Sequence, residues 1–265
     1  MRKKTGAFNH PYFDLQAEWG ITKHFNGITS SEELVRFCRI NRYSYVLDVG
    51  CGVGISTCRI AKKHRCRMVG VDISKRMVER AQERAIETGI DDLATFREAN
   101  AAKLPFKNNS FDAVIAESVT AFTKNKQKTL KEYARVVKKG GYVGIVESTW
   151  LQPPKPEIEN YLVRTMGSLH PAYESEWKSW FKGAELTLVE SRVVKMEVLK
   201  QGFAEWQLAG LLVFFRSMYR MIKLCATRPE YRKATIQLIK EAKRAPKGLT
   251  DTFGYGVYVG KKKMK

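Results

Sequence analysis

The sequence predicts a doubly wound α/β domain with a mostly parallel sheet, on three observations. Between Tyr45 and Glu147, short β-rich runs alternate with stretches of helical periodicity. Strands separated by helices of that length imply crossover connections and parallel pairing. A glycine-rich turn follows the first of these strands and opens a helix, and the second strand ends on an aspartate, Asp72.

Taken in order, Tyr45–Val49 reads as a buried strand and Ile55–His64 as the helix after the turn. Arg67–Asp72 is a second strand. Ser74 then caps a helix with apolar positions at Met77, Val78, Ala81 and Ala85, ended by Gly89. Leu93–Arg97 and Phe111–Ala116 are the third and fourth strands. A helix carrying Leu130, Tyr133, Ala134 and Val137 leads through a Gly140-Gly141 turn into a strand from Tyr142 to Val146. Upstream, Ser30-Ser31-Glu32-Glu33 has the pattern of a capping box opening a helix. Downstream, Pro153, Pro154 and Pro156 mark a linker, with helical stretches near Glu157–Met166 and Ala172–Phe181. Leu186–Val198 and Phe253–Val259 alternate like strands, and Phe203–Arg244 reads as two helices divided near Thr227-Arg228-Pro229.

At 265 residues, one domain with an elaboration is expected over 1–265. Its parts are an N-terminal helical segment (1–43), a ligand-binding core (44–150) and a substrate side (151–265) with a helical insertion at about 203–244 before the last strand. The 47 Lys+Arg against 27 Asp+Glu give a net charge of +20, which attracts polyanions or reflects a solvated basic face. Cys38, Cys51, Cys58, Cys66 and Cys225 form no C-x-x-C pair, so neither a disulfide framework nor a metal site is expected, and a reduced, cytoplasmic protein fits best. The longest apolar stretch, Leu208–Phe215, is far below the roughly 20 residues that span a bilayer, which leaves at most a peripheral membrane contact.

The chemistry is carried by Asp48-Val49-Gly50-Cys51-Gly52-Val53-Gly54. Glycines at these positions let the backbone turn sharply and approach a ligand closely. A dinucleotide fingerprint would need glycine where Ile55 stands, and no G-K-[ST] follows to make a P-loop. The loop with its leading Asp suits a nucleoside lacking pyrophosphate, and Asp72 is placed for ribose hydroxyls.

These residues carry a resemblance. The stretches Val46–Gly54, Val69–Ser74, Asn100–Phe106, Ser110–Val114 and Glu132–Gly141 resemble, in order, those of the class I methyltransferases, which are Rossmann-like and use S-adenosylmethionine. The branch that looks most similar is that of the ubiquinone and menaquinone C-methyltransferases and small-molecule relatives. The resemblance implies that Asp48, Gly50, Cys51, Gly52 and Gly54 line the methionine and ribose of the cofactor. It also implies that Asp72 holds the ribose, Ile73 and the Ala101 N–H lie beside the adenine, and Asn100 accepts from the adenine amine. Glu117 and Ser118 would face the sulfonium and the acceptor. Lys139 stands where the family usually has Pro. Trp19–Gly27 resembles the segment that closes over the cofactor, with Tyr12, Phe13 and Trp19 as its apolar shield.

Methyl transfer needs alignment, dehydration and, for some acceptors, a base. Candidate bases are His24, first by intrinsic pKa, then Glu117 and Glu147; His10, His64 and His170 have weaker cases. Ala116-Glu117-Ser118-Val119 replaces the N/D-P-P-Y/F that exocyclic-amine methylation uses, and no Pro-Cys pair serves C5-cytosine chemistry. The insertion pairs an apolar, aromatic and Met-rich helix with cations: from Lys195 to Lys265 there are 16 Lys+Arg and 5 Asp+Glu. Such a helix suits a lid, a homodimer interface or a contact with acidic lipid or nucleic acid. Three functions follow, in this order: methylation of a small, lipophilic or aromatic acceptor; methylation of RNA or protein; and non-catalytic S-adenosylmethionine binding in an interaction protein.

Overall fold

The computed structural model describes residues 11–20, 25, 27–167, 169–196 and 211–264, without the side chains of 11, 12, 14 and 211–214. One sheet runs through them in the order β3-β2-β1-β4-β5-β8-β7. Its strands are β1 (Tyr45–Val49), β2 (Arg67–Asp72), β3 (Ala94–Glu98), β4 (Phe111–Glu117), β5 (Val137–Trp150), β7 (Leu186–Lys195) and β8 (Phe253–Lys262). A two-residue β6 (Ala172–Tyr173) pairs with the end of β5. Strands β1 to β5 are parallel; β8 runs antiparallel between β5 and β7. The mostly parallel, doubly wound expectation therefore holds, with the one antiparallel strand reading as the last element.

Alternate residues of each strand feed two cores. Leu47, Val49, Val71 and Val114 face the helices α5 (Lys126–Val136), α6 (Pro156–Met166) and α7 (Glu174–Gly183). Val46, Met68, Ala113 and Ile115 face α2 (Gly27–Phe37), α3 (Ile55–His64) and α4 (Lys75–Glu87). A strand covered on both faces is apolar at most positions, which is why β1 is apolar apart from Asp48, and β4 apart from Asp112 and Glu117.

Local chemistry starts the helices. The Ser74 side chain accepts from the Met77 N–H at the start of α4, and Asn125 Oδ1 accepts from the Lys128 N–H at the start of α5. Pro156 and Pro229 occupy first turns, where a missing N–H costs nothing. Between β7 and β8 lie α8 (Leu211–Thr227), α9 (Pro229–Lys243) and a single turn, α10 (Leu249–Thr252). They place the helical insertion where the sequence reading put it; its expected first residues, 203–210, lie outside the described residues.

Two local expectations are corrected. The capping box at Ser30–Glu33 is not a helix start: α2 begins at Gly27, and Ser30 and Ser31 are buried inside it. Gly140-Gly141 is not a turn before the strand but a bulge within β5. Phe111 pairs with Val137 and Ala113 with Tyr142, so the extra β5 residues loop out while pairing continues. Gly140 at φ 76 supplies the left-handed conformation there.

Candidate functional site

The chain reverses direction across the sheet between β1 and β4, and the crevice beyond the carboxyl ends of these strands is where open α/β sheets hold ligands. The glycine loop lies in it. Gly50, Gly52 and Gly54 have φ of 72, 53 and 75, all left-handed. Gly50 and Cys51 N–H groups donate to Val71 O at 2.7 and 3.0 Å, tying the loop to β2. Two of the glycines serve packing as well. A Cβ at Gly50 would run into Val119, and one at Gly54 would come within 2.8 Å of Ala81 Cβ, so α3 could not approach α4.

Three carboxylates converge on this loop. Buried Asp48 accepts a 2.5 Å hydrogen bond from Thr57 Oγ1. Asp72 accepts from the Gly52 N–H at 3.0 Å and the Ser74 N–H at 2.9 Å, which fixes its rotamer at the strand tip. Glu117, at the end of β4, accepts from Ser31 Oγ at 2.9 and 3.0 Å and from Ser30 Oγ at 3.3 Å. Burial pushes the Asp48 carboxyl up to about 7, against the pull of Thr57, and the charges of Glu117 and Asp72 push the same way. Burial also raises Asp72 above the usual carboxylate range. The site thus gathers three acidic groups at the glycine loop.

Aromatic rings gather at the same end of the sheet. Phe13 of α1 (Pro11–Trp19) meets Phe122 edge-on at 5.5 Å, just past β4. Phe25 stacks on Tyr255 and meets Phe253 edge-on, and Phe253 in turn meets Trp150 at the end of β5. α1 is fastened to the loop. Its Ala17 packs with Val53 and Ile55, Glu18 pairs with Arg76 and Arg80, and Arg84 donates to both Val53 O (2.9 Å) and Gly20 O (2.8 Å).

Several expected roles change. Glu147 is not at the mouth: it is fully buried, and its carboxylate accepts from the Val119, Thr120 and Ala121 N–H groups at 2.5 to 3.2 Å. It anchors the turn after β4 and is not placed to act as a base. Asn100 is exposed, and its amide oxygen already accepts from the Ala102 N–H at 2.8 Å. Its expected bond to an adenine amine would need the second lone pair of that oxygen. Ala101 and Ile73 are half-buried on the same rim. Cys51 is buried, and burial raises its thiol far above a reactive range, so it is loop filler. His24 and His10 lie outside the described residues. His64 is held by Glu32, while the His170 N–H donates to Ala121 O, bringing an exposed histidine beside the turn after β4.

Sequence reasoning missed the serines that hold Glu117, because they stand in a helix 86 and 87 residues away. It also missed that, among the described residues, the buried polar atoms without a hydrogen-bond partner include Ser118 Oγ, Gln16 Nε2 and Trp19 Nε1. Ser118 has φ 59, a strained value for a serine, and lies between Glu117 and the Val119 that stands over Gly50. Orphaned buried groups are rare and call for a ligand or water. With the acidic cluster and the glycine loop, they fit a polar, cationic nucleoside.

A family model for a methyltransferase domain matches residues 47–145, which spans the glycine loop, Asp72 and β4. Residues 47–145 are a class I S-adenosylmethionine-dependent methyltransferase domain. The matches speak for the class and not for the quinone branch in particular. The chain is 33% identical over 125 residues to a 27-O-demethylrifamycin SV methyltransferase of Amycolatopsis mediterranei, covering 46% of this chain and 45% of that one. It is 31% identical over 153 residues to a sterol 24-C-methyltransferase of Debaryomyces hansenii, covering 54% and 40%. The chain thus spans less than half the length of these curated relatives. A methyltransferase from Geobacter sulfurreducens, solved with S-adenosyl-L-homocysteine, superposes with a TM-score of 0.71 at 20% identity, covering 95% of this chain and 98% of that one.

Proposed function

We propose that the chain transfers a methyl group from S-adenosylmethionine to a small, lipophilic or aromatic acceptor. The observation that carries the reading is the juxtaposition of Asp48, Asp72 and Glu117 around a glycine loop, under a roof of aromatic rings. S-Adenosylmethionine brings a methyl on a positive sulfur, activated for in-line displacement. Asp72 would hold the ribose through the free lone pairs of its carboxylate, and Asp48 and Glu117 would face the cationic end. Phe13, Phe25, Phe122 and Trp150 would exclude water and stack on an apolar acceptor. Glu117, oriented by Ser30 and Ser31, is the described residue best placed to take a proton from an acceptor hydroxyl. Relatives named for a rifamycin and a sterol support the choice of a bulky, greasy acceptor.

The test is calorimetric titration with S-adenosylmethionine of the wild type and of Gly52→Arg, whose side chain would occupy the cofactor's place. Saturable binding by the wild type, lost in the folded variant, is expected. Product S-adenosylhomocysteine should then be released with hydrophobic phenols or quinones. Release with RNA or a protein instead would overturn the acceptor class; binding without release on any acceptor would favour an interaction protein. The +20 charge is what motivates the RNA arm.

A further inference from the structure

α8 carries large apolar side chains on its outer surface. Ser217, Arg220, Met221, Leu224 and Cys225 are turned inward, while Met218, Tyr219 and Ile222 are exposed, Tyr219 by 65% and Ile222 by 59%. In α9, Ile236 and Ile239 are exposed as well. Cys225 of α8 lies 3.4 Å from Thr235 of α9, which sets the antiparallel pair so that Ile222 and Ile239 come level on the hairpin. A hairpin that leaves a cluster of large apolar side chains in water has a partner other than its own core.

Charge decides among partners. Over 211–247 there are ten Lys+Arg and two Asp+Glu, and one of those acids, Glu241, is buried in an ion pair with Arg164. Arg216, Lys223, Lys240 and Lys243 are exposed beside the apolar residues. A second copy would bring an equal excess of cations to a two-fold contact, so like charges would oppose it. Apolar side chains within a cationic field instead complement an acidic phospholipid surface, where rings and branched chains enter the acyl boundary and Lys/Arg stay with the headgroups. Among the described residues no helix is long and apolar enough to cross a membrane, so the contact would be made lying flat.

We propose that the outer face of the α8–α9 hairpin docks on membranes rich in acidic phospholipid. This does not depend on which acceptor is methylated. Both helices contact α1, so docking would bring the roof of the site to the lipid surface.

The experiment uses the full chain and co-sedimentation with vesicles of phosphatidylcholine alone or mixed in equal parts with phosphatidylglycerol. Wild type is expected to pellet with the mixed vesicles and to stay in solution with phosphatidylcholine. The double variant Ile222→Ser, Ile239→Ser should bind the mixed vesicles at least about tenfold more weakly, with an unchanged melting curve and S-adenosylmethionine titration. Fluorescence from an Ile222→Trp variant should shift to the blue when mixed vesicles are added. A wild type that stays in solution overturns the proposal, and so does a double variant that pellets as well as wild type. Two further results would assign the face elsewhere and overturn it: a wild-type dimer in sedimentation velocity that becomes monomeric in the double variant, or salt-sensitive binding of an RNA oligonucleotide without vesicle binding.

Discussion

Ser31 donates to both oxygens of Glu117, at 2.9 and 3.0 Å, and so joins a helix ahead of the sheet to the end of its fourth strand. Removing one side of a hydrogen bond to a buried charge typically costs about 1.5–3 kcal/mol. Ser31→Ala should therefore lower stability by about that much in urea unfolding. It should also reduce turnover more than S-adenosylmethionine affinity, because it frees the carboxylate proposed above to face the acceptor. Loss of stability without any effect on turnover would mean that Glu117 has only a structural part.

Asp48 titrates near pH 7 in the folded chain, and the unfolded chain releases the same proton at about 4. Between these values the folded state binds more protons, so stability contributed by this group falls as pH rises through the window. Glu147, also raised to about 7 by burial, acts in the same direction. Without cofactor, thermal midpoints should be higher at about pH 5 than at about pH 7.5, and Asp48→Asn should flatten much of the difference. An unchanged slope in that variant would assign the effect elsewhere.

A cationic ligand favours the ionised cluster, so S-adenosylmethionine affinity should rise as pH increases through about 7, with proton release on binding at lower pH. Calorimetry in two buffers of different ionisation enthalpy measures that release directly. Affinity that is flat from about pH 6 to 8 would show that Asp48 is already ionised in the free protein.

Arg84 closes a bridge between the glycine loop and α1 by donating to Val53 O and Gly20 O, and burial lowers its pKa. Arg84→Met leaves both carbonyls without this donor while keeping much of the bulk. It should loosen α1, speed S-adenosylmethionine dissociation about tenfold or more, and raise hydrogen exchange over 15–20. Protection unchanged in that segment would show that α1 is held by packing alone.

The elements that could be read in the sequence are those specified locally. Ser74 and Asn125 sit at helix starts because their side chains reach an N–H within the next few residues. Gly50, Gly52 and Gly54 were legible because only glycine takes three left-handed turns so close together. The misreadings are long-range. Ser30-Ser31-Glu32-Glu33 has every local mark of a cap, yet Glu117 draws both serines into the interior of α2. Glu147 looked like a free carboxylate at a strand end. Its three N–H partners at 119–121 are aligned by a helical turn with no motif of its own. Ser118, Gln16 and Trp19 could be noticed only once burial had removed their water.

The pairing of β7 sets an order of events during synthesis. β7 bonds to β8 alone within the sheet, and β8 follows it by almost sixty residues that include the α8–α9 hairpin. Residues 186–195 must therefore wait on the ribosome without a strand partner, together with the open edge of β5, until 253–262 emerge. During that interval two unpaired edges are available to other chains. Charges along the waiting strand, Glu190, Arg192 and Lys195, are well suited to keep that half-built sheet from pairing with a stranger.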